Sequence, residues 1–418
     1  MRQYLILLCI GLLLLPAGAH ARRLYSSGAE MQSATNGIEW LTSNGTMSIS
    51  TTTKRSGVAA TRHNPTTSTG YVRHTMLSTA ADVCYGRFYI YIASYPDSDA
   101  TILGFHDTAA ATFTGTVEMT STGILQVISG LDGSQRGSDS SALSLNTWYR
   151  VELAVDSSSA GSWNWQLRID GTEIVNDSQA SGGTADCDEV AYGASPYNAG
   201  TGAVGGPNET MDIYFDDIAV NEDINPPQIT FPGAGSILHM QPDAAGDVAA
   251  TAGLFSAIDE VTPNDATDYI EVDAIQAANY NFESWTEAGG SVYDTINYVT
   301  VGTRQHPETA AAFGWGVQLK SQSSGTATSG VTQSHNDTTW KTNGDSNANQ
   351  NYHLDVVTDP QGGGGAWTPT LLDSAIAGVN VTDATPNGFF STIWLLVEFI
   401  PGEAPAAGTA PPQDLIIF

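Results

Sequence analysis

Cys84-Tyr85-Gly86-Arg87-Phe88-Tyr89-Ile90-Tyr91-Ile92 is the stretch whose reading decides the fold. Successive side chains of an extended chain point to opposite faces, so Phe88, Ile90 and Ile92 share one side and Tyr85, Arg87, Tyr89 and Tyr91 the other. The first side is core; the second is a comb of aromatic rings interrupted by one cation. The same period of two returns in Leu125 to Ile128 and in Trp148 to Asp156, where Tyr149, Val151, Leu153 and Val155 face inward. It returns again in Trp163 to Ile169, where Trp163 and Trp165 join Leu167 and Ile169 on a core face. Asp170-Gly171 then supplies a two-residue type I′ hairpin turn. Helical periodicity is nearly absent, and the short alternating runs are separated by Gly, Asn, Asp and Ser. The chain is expected to be all-β, built from stacked antiparallel sheets.

On the N-terminal side, Arg2 precedes an apolar run from Leu5 to Leu15, followed by Ala19-His20-Ala21. That is the plan of a secretory signal peptide over residues 1–21. The run is shorter than the roughly 20 residues a membrane span needs, so the expected product is exported, extracellular or on the cell surface, with no membrane insertion after cleavage. Cys84 and Cys187 remain beyond the leader and are expected to pair in an oxidising compartment. A bridge closing a loop of that length, 103 residues apart, is worth roughly 4–5 kcal/mol in the chain-entropy view.

On the C-terminal side, the first unit closes with Met211 to Val220, and Asn225-Pro226-Pro227 stiffens a linker placed at 224–235. The expected organisation is two tandem antiparallel jelly-roll β-sandwiches, 22–223 and 236–400, because some 400 residues exceed what one core serves. Strands of the second unit are expected at Tyr269 to Ile275, Val292 to Val301, Trp315 to Ser321 and Ile393 to Phe399. A Pro/Ala-rich tail, 401–418, ends in the apolar Leu415-Ile416-Ile417-Phe418, which could add a strand to a neighbouring copy.

Lys plus Arg number 14 against 44 Asp plus Glu, a net charge of -30 with only 14% of residues charged. Such a field repels phosphate backbones and anionic lipid, which excludes nucleic acid as a partner and leaves calcium and neutral glycans compatible.

Leu24-Tyr25-Ser26-Ser27-Gly28-Ala29-Glu30, the Trp148-Tyr149-Arg150-Val151-Glu152-Leu153 strand, the Arg168-Ile169-Asp170-Gly171 hairpin and Phe215-Asp216-Asp217-Ile218 carry a resemblance. Over roughly residues 24 to 223 the chain resembles concanavalin A-like lectin/glucanase (laminin G-like) jelly rolls of phage structural and environmental secreted proteins. The resemblance implies a structural calcium between the first and last strands, held by Glu30 and Asp217. It also implies sugar binding, for which Tyr85, Arg87, Tyr89 and Tyr91 supply flat rings and a polar group. The alternative is that this face packs under other structure and the tyrosines fill space.

Glucanases on this sandwich place carboxylates as Glu-x-Asp-x-(x)-Glu, and only Glu271-Val272-Asp273 approaches that, with Ala274, Ile275 and Gln276 following. No His-Glu-x-x-His, Cys-x-x-Cys or Gly-x-Ser-x-Gly occurs. Gly200-Thr201-Gly202-Ala203-Val204-Gly205 fits a dinucleotide fingerprint, but Gly206-Pro207 follows where a helix would start. The expected function is therefore glycan binding or adhesion without catalysis. The rival is a structural subunit that self-assembles through its tail, and a glycoside hydrolase is the least supported reading.

Overall fold

The computed structural model describes residues 23–76, 83–181, 183–198, 206, 208–223, 228–322, 326–329, 333–335, 338–342, 357–361 and 365–403. The leader, Pro226-Pro227 and the apolar tail lie outside the described residues. Within them the chain is strands in antiparallel sheets, as the alternation requires. No helix there is long and apolar enough to cross a membrane.

Before residue 223 the strands make two large sheets. Sheet I runs Thr172–Ala180, Ser162–Ile169, Trp148–Asp156, Val83–Ser94, Asp212–Glu222, Ala60–His63 and Met47–Ser50, and Arg23–Ser27 also pairs with Asp212–Glu222. Sheet II runs Gln135–Arg136, Leu125–Ser129, Thr112–Met119, Ala100–Asp107, Glu189–Ala194, Gly70–Thr75 and Thr42–Gly45. Val83–Ser94 sits mid-sheet, so both its edges are hydrogen-bonded to neighbouring strands. Phe88, Ile90 and Ile92 are fully buried and meet Phe105, Val117, Val127, Leu153 and Trp165 between the sheets. Asp170 and Gly171 take positive φ, 50° and 83°, and join Ser162–Ile169 to Thr172–Ala180. The Asp-Gly pair tolerates that left-handed geometry, which is why the hairpin was legible. Cys84 and Cys187 form a disulfide with Cα atoms 6.2 Å apart, tying Val83–Ser94 to the segment that enters Glu189–Ala194.

From Ser236 onward a second pair of sheets surrounds its own core of Trp285, Trp315, Phe313, Phe390 and Leu395. Sheet III has the order Ser236–Met240, Gly388–Ile400, Thr295–Pro307 and Lys341–Thr342, with Ile270–Val272 also paired to Gly388–Ile400. Sheet IV has Pro242–Ala245, Ala277–Phe282, Ile376–Val381, Phe313–Lys320 and Thr328–Ser329, with Gln333–His335 on Phe313–Lys320. Tyr269 to Ile275 was expected to be one strand. It is only Ile270–Val272, because the chain turns at Ile275, which takes a φ of 58°.

The two pairs of sheets meet across a buried joint. Met31 and Ile38 from the first pack on Ile237, Tyr298, Trp394 and Leu396 from the second. At its centre Glu398 accepts from Arg23 Nη1 at 2.6 Å and from Arg87 Nη1 and Nη2 at 3.2 and 3.4 Å. Asn297 Nδ2 donates to it at 3.3 Å. Burial pushes this carboxyl up, but the two guanidiniums overcome that and hold it at about 2. A folded-state value below the ordinary 4.5 means that the ionised form favours folding. That contribution is complete above the ordinary value and is lost as the pH falls toward 2.

Glu398→Gln is expected to destabilise the protein by about 3–5 kcal/mol, because it strands two buried cations. It should also flatten the acid limb of a plot of melting temperature against pH. A variant that melts like the wild type from neutral to strongly acidic pH would show that the triad does not hold the joint.

Candidate functional site

The aromatic comb of Val83–Ser94 does not stay in one environment. At its lower end Arg87 is fully buried and its Nε donates to Asp217 O at 3.0 Å, beside Glu398. Tyr89 is 6% exposed beneath Arg55, whose guanidinium carbon lies 3.4 Å from the ring centre. Tyr85 is half-buried and meets Phe231 edge-on at 5.3 Å. So the expectation that Tyr85, Arg87, Tyr89 and Tyr91 form one ligand face is corrected for Arg87 and Tyr89. Glu398 of the second pair of sheets and Gly233 of the segment leading to it cover Arg87, and Arg55 covers Tyr89.

The upper end stays open. Tyr91 pairs across the ladders with Trp148 on one side and Tyr214 on the other, and Tyr214 pairs with Arg62. Four adjacent strands therefore carry Trp148, Tyr91, Tyr214 and Arg62 in one row on the outer face of sheet I. At ~4.8 Å per strand the row is about 14 Å long. Ring centres stand 5.5 Å (Tyr91 to Trp148) and 5.6 Å (Tyr91 to Tyr214) apart, and the Arg62 guanidinium is 5.4 Å from the Tyr214 ring. Trp148, Tyr91 and Arg62 are half-buried, and Tyr214 is 8% exposed. Tyr91 Oη donates to Asn146 Oδ1 at 3.1 Å. Asp212 takes Arg62 Nε and Nη2 at 2.9 and 2.6 Å, a bidentate pair that cancels the charge at that end. Trp148 was the legible residue that the sequence reading passed over: if Tyr149 faces inward, its predecessor must face out.

A second polar group lies on the outer face of sheet II. Arg73 Nε donates to Glu189 Oε1 at 2.8 Å, Tyr197 Oη donates to the same oxygen at 3.4 Å, and His106 stacks on Tyr197 at 5.5 Å. Register brings Glu189 opposite His106. Glu189, His106 and Tyr197 are buried, and burial pulls the proton affinity of His106 down. Residues this far apart in sequence gave no local signal.

Glu30 and Asp217 do come together, with Asp216, where the first strand meets the last. Asp216 Oδ2 accepts from the backbone N–H of Arg55 at 2.7 Å and its Oδ1 from that of Asp217 at 2.7 Å. Both Glu30 oxygens accept from Val58 N, at 3.2 and 3.0 Å. Gly57 has a φ of +58°, and a Cβ there would fall on the Glu30 carboxylate, so this loop needs glycine. Burial, then the neighbouring Asp216, raises Glu30 well above the carboxylate range. Asp217 Oδ1 accepts from Ser56 Oγ and Ile237 N, each at 2.6 Å, and its Oδ2 is ion-paired with Arg55. The guanidinium thus stands where a cation would be, and Asp217 does not fit as half of a calcium pair. Calcium wants 6–8 oxygens, and an ion here would rest on Glu30 and Asp216.

No protein-family profile matches the chain, and no curated protein does. Solved structures do. An endo-β-1,4-glucuronan lyase from Trichoderma reesei is 12% identical over 45% of this chain and 93% of its own, with a TM-score of 0.33. A PL-14 alginate lyase from Aplysia kurodai is 11% identical over 48% and 100%, also at 0.33. A Trypanosoma rangeli sialidase is 11% identical over 50% of this chain and 33% of its own, at 0.35. At 11–12% identity and TM-scores of 0.33–0.35 these likenesses assign neither a family nor a role to this chain. The expectation of a chain without catalysis is corrected here, since two lyases and a sialidase stand among its structural neighbours. A missing Glu-x-Asp-x-Glu triplet tests one mechanism only.

Arg55→Ala is expected to lower stability by about 3–5 kcal/mol by leaving the Asp217 charge buried without its partner. A chelator is expected to leave the wild-type melting temperature where it is. A chelator-induced drop, restored by calcium and absent in Glu30→Gln, would assign an ion to Glu30 and Asp216 instead.

Proposed function

We propose that this chain is an exported polysaccharide-binding β-sandwich protein that contacts neutral glycan through Trp148, Tyr91 and Tyr214. The observation that carries the reading is the register row on sheet I. Three neighbouring strands, not one, deliver its rings to the outer face, and a fourth adds Arg62.

Pyranose rings present C–H-rich faces, which stack on aromatic faces and exclude water there, while hydroxyls at the ring edge seek polar groups. Trp148 and Tyr91 supply the faces. Asn146, Asp212 and the Tyr214 hydroxyl supply the edge. The Arg62–Asp212 pair leaves the row close to neutral, and the chain's charge of -30 disfavours polyanions over long range. Both effects favour uncharged sugars. The second pair of sheets enters this reading as the body that covers Arg87 and holds the strand rigid behind the open end.

Tyr91→Ala and Trp148→Ala are each expected to weaken retention on neutral polysaccharide by about tenfold, the worth of one good ring contact. Tyr89→Ala should lower the melting temperature and leave retention unchanged. Affinity electrophoresis in gels containing β-glucan, xylan or galactomannan reads both effects, and reducing-sugar release in the same incubations reports whether contact is followed by cleavage. Retention undiminished by Tyr91→Ala and Trp148→Ala together would remove the row from the function.

A further inference from the structure

Sheet III carries a second row of the same construction. Glu271 pairs with Phe389, and Phe389 with His306, across Ile270–Val272, Gly388–Ile400 and Thr295–Pro307. Trp340, which leads into Lys341–Thr342, meets His306 edge-on at 4.3 Å. Tyr269 lies against Phe389 at 5.1 Å and Trp340 at 6.0 Å. The alternate residues Ile270, Val272, Phe390 and Gln305 are fully buried, so the pleat turns Glu271, Phe389 and His306 outward. Tyr269 is 41% exposed, and Trp340, His306 and Phe389 keep part of their surface in solvent. None of these rings belongs to the core beneath.

The polar atoms here share one character. His306 Nδ1 is 2.6 Å from Pro307 O. A carbonyl can only accept, so the proton sits on Nδ1 and Nε2 of the neutral ring is an acceptor. Burial pulls the proton affinity of His306 down, which keeps the ring neutral. Glu271 Oε1 is fixed by Asn387 Nδ2 at 2.8 Å, which aims a second acceptor group along the row. Acceptors beside apolar ring faces match a molecule with flat C–H surfaces and a rim of O–H donors. A carboxylated or sulfated sugar would be repelled by Glu271 and by the surplus of acids around it.

We infer that Trp340, Tyr269, Phe389, His306 and Glu271 form a second binding site for neutral glycan. The inference rests on the function proposed above but on residues that site does not share. The Arg23–Glu398–Arg87 joint makes both rows parts of one body, so a long polymer that engages one row meets the other at high effective concentration.

The test uses the full chain in the same gels, with galactomannan and β-glucan as neutral probes and alginate as the charged control. Trp340→Ala and, separately, Tyr269→Ala are expected to weaken retention about tenfold. The variant lacking Tyr91 and Trp148 rings should keep a residual retention that Trp340→Ala removes. If that variant keeps none, and Trp340→Ala and Tyr269→Ala run as wild type, the second site is wrong and the first stands. If only Trp340→Ala and Tyr269→Ala lose retention, the second site stands and the first is wrong. Wild-type chain retained by alginate and by neither neutral probe overturns both. Tyr269 is exposed enough that an unchanged melting temperature in Tyr269→Ala separates lost binding from lost fold.

Discussion

The ion triad of Arg23, Glu398 and Arg87 is the constraint on which the rest of the molecule depends. A buried carboxylate between two guanidiniums gains little over well-packed apolar side chains, but it tolerates no partial assembly. Arg23 comes from the first strand, Arg87 from mid-sheet and Glu398 from the last strand of the second unit. All three must arrive before any of them is satisfied. The apolar contact of Met31 and Ile38 with Trp394 and Leu396 supplies area to the joint. The triad supplies register, since no other placement of Gly388–Ile400 puts an acid between those two cations.

That joint decides what is left for a ligand. Of the outward side chains of Val83–Ser94, the joint takes Arg87 and the neighbouring Arg55 takes Tyr89. Arg87 becomes an interior residue, and Tyr89 becomes the buried floor under the partly exposed Arg55, where ring and guanidinium attract one another. Tyr85 and Tyr91 remain half-buried, and Tyr91 gains neighbours from flanking strands rather than from its own. A comb along one strand has thereby become a row across four, which is the wider and flatter surface.

The sequence made the first half of this legible and could not have made the second so. Period-two alternation located Phe88, Ile90, Ile92, Trp163 and Trp165 in the core, and Asp170-Gly171 located the hairpin, because both are local rules of an extended chain. The disulfide partners followed from counting thiols. Which outward face is later covered is a property of the whole chain: residue 398 lies 311 positions from Arg87, and nothing around either residue announces the other. Asp217 follows the same rule: the partner it ion-pairs with, Arg55, sits in a Ser/Thr/Gly loop without strand signal. For Glu271, the neighbours in sequence are Val272 and Asp273, whereas the neighbours across the ladders, Phe389 and then His306, are aromatic.

The two rows then bear on each other through charge. A chain at -30 with few cations sets these arginines against acids: Arg23 and Arg87 in the joint, Arg55 on Asp217, Arg73 on Glu189, Arg62 on Asp212. Arg23 and Arg87 share Glu398, and Arg55, Arg73 and Arg62 each neutralise a carboxylate of their own, so no unpaired positive patch is built from these five to attract a polyanion. What the surface retains for recognition is ring faces with acceptor and amide edges. Attraction to a partner must therefore come from excluded water and short hydrogen bonds, forces that act over a few ångströms and reward repeated contact along a polymer more than any single encounter.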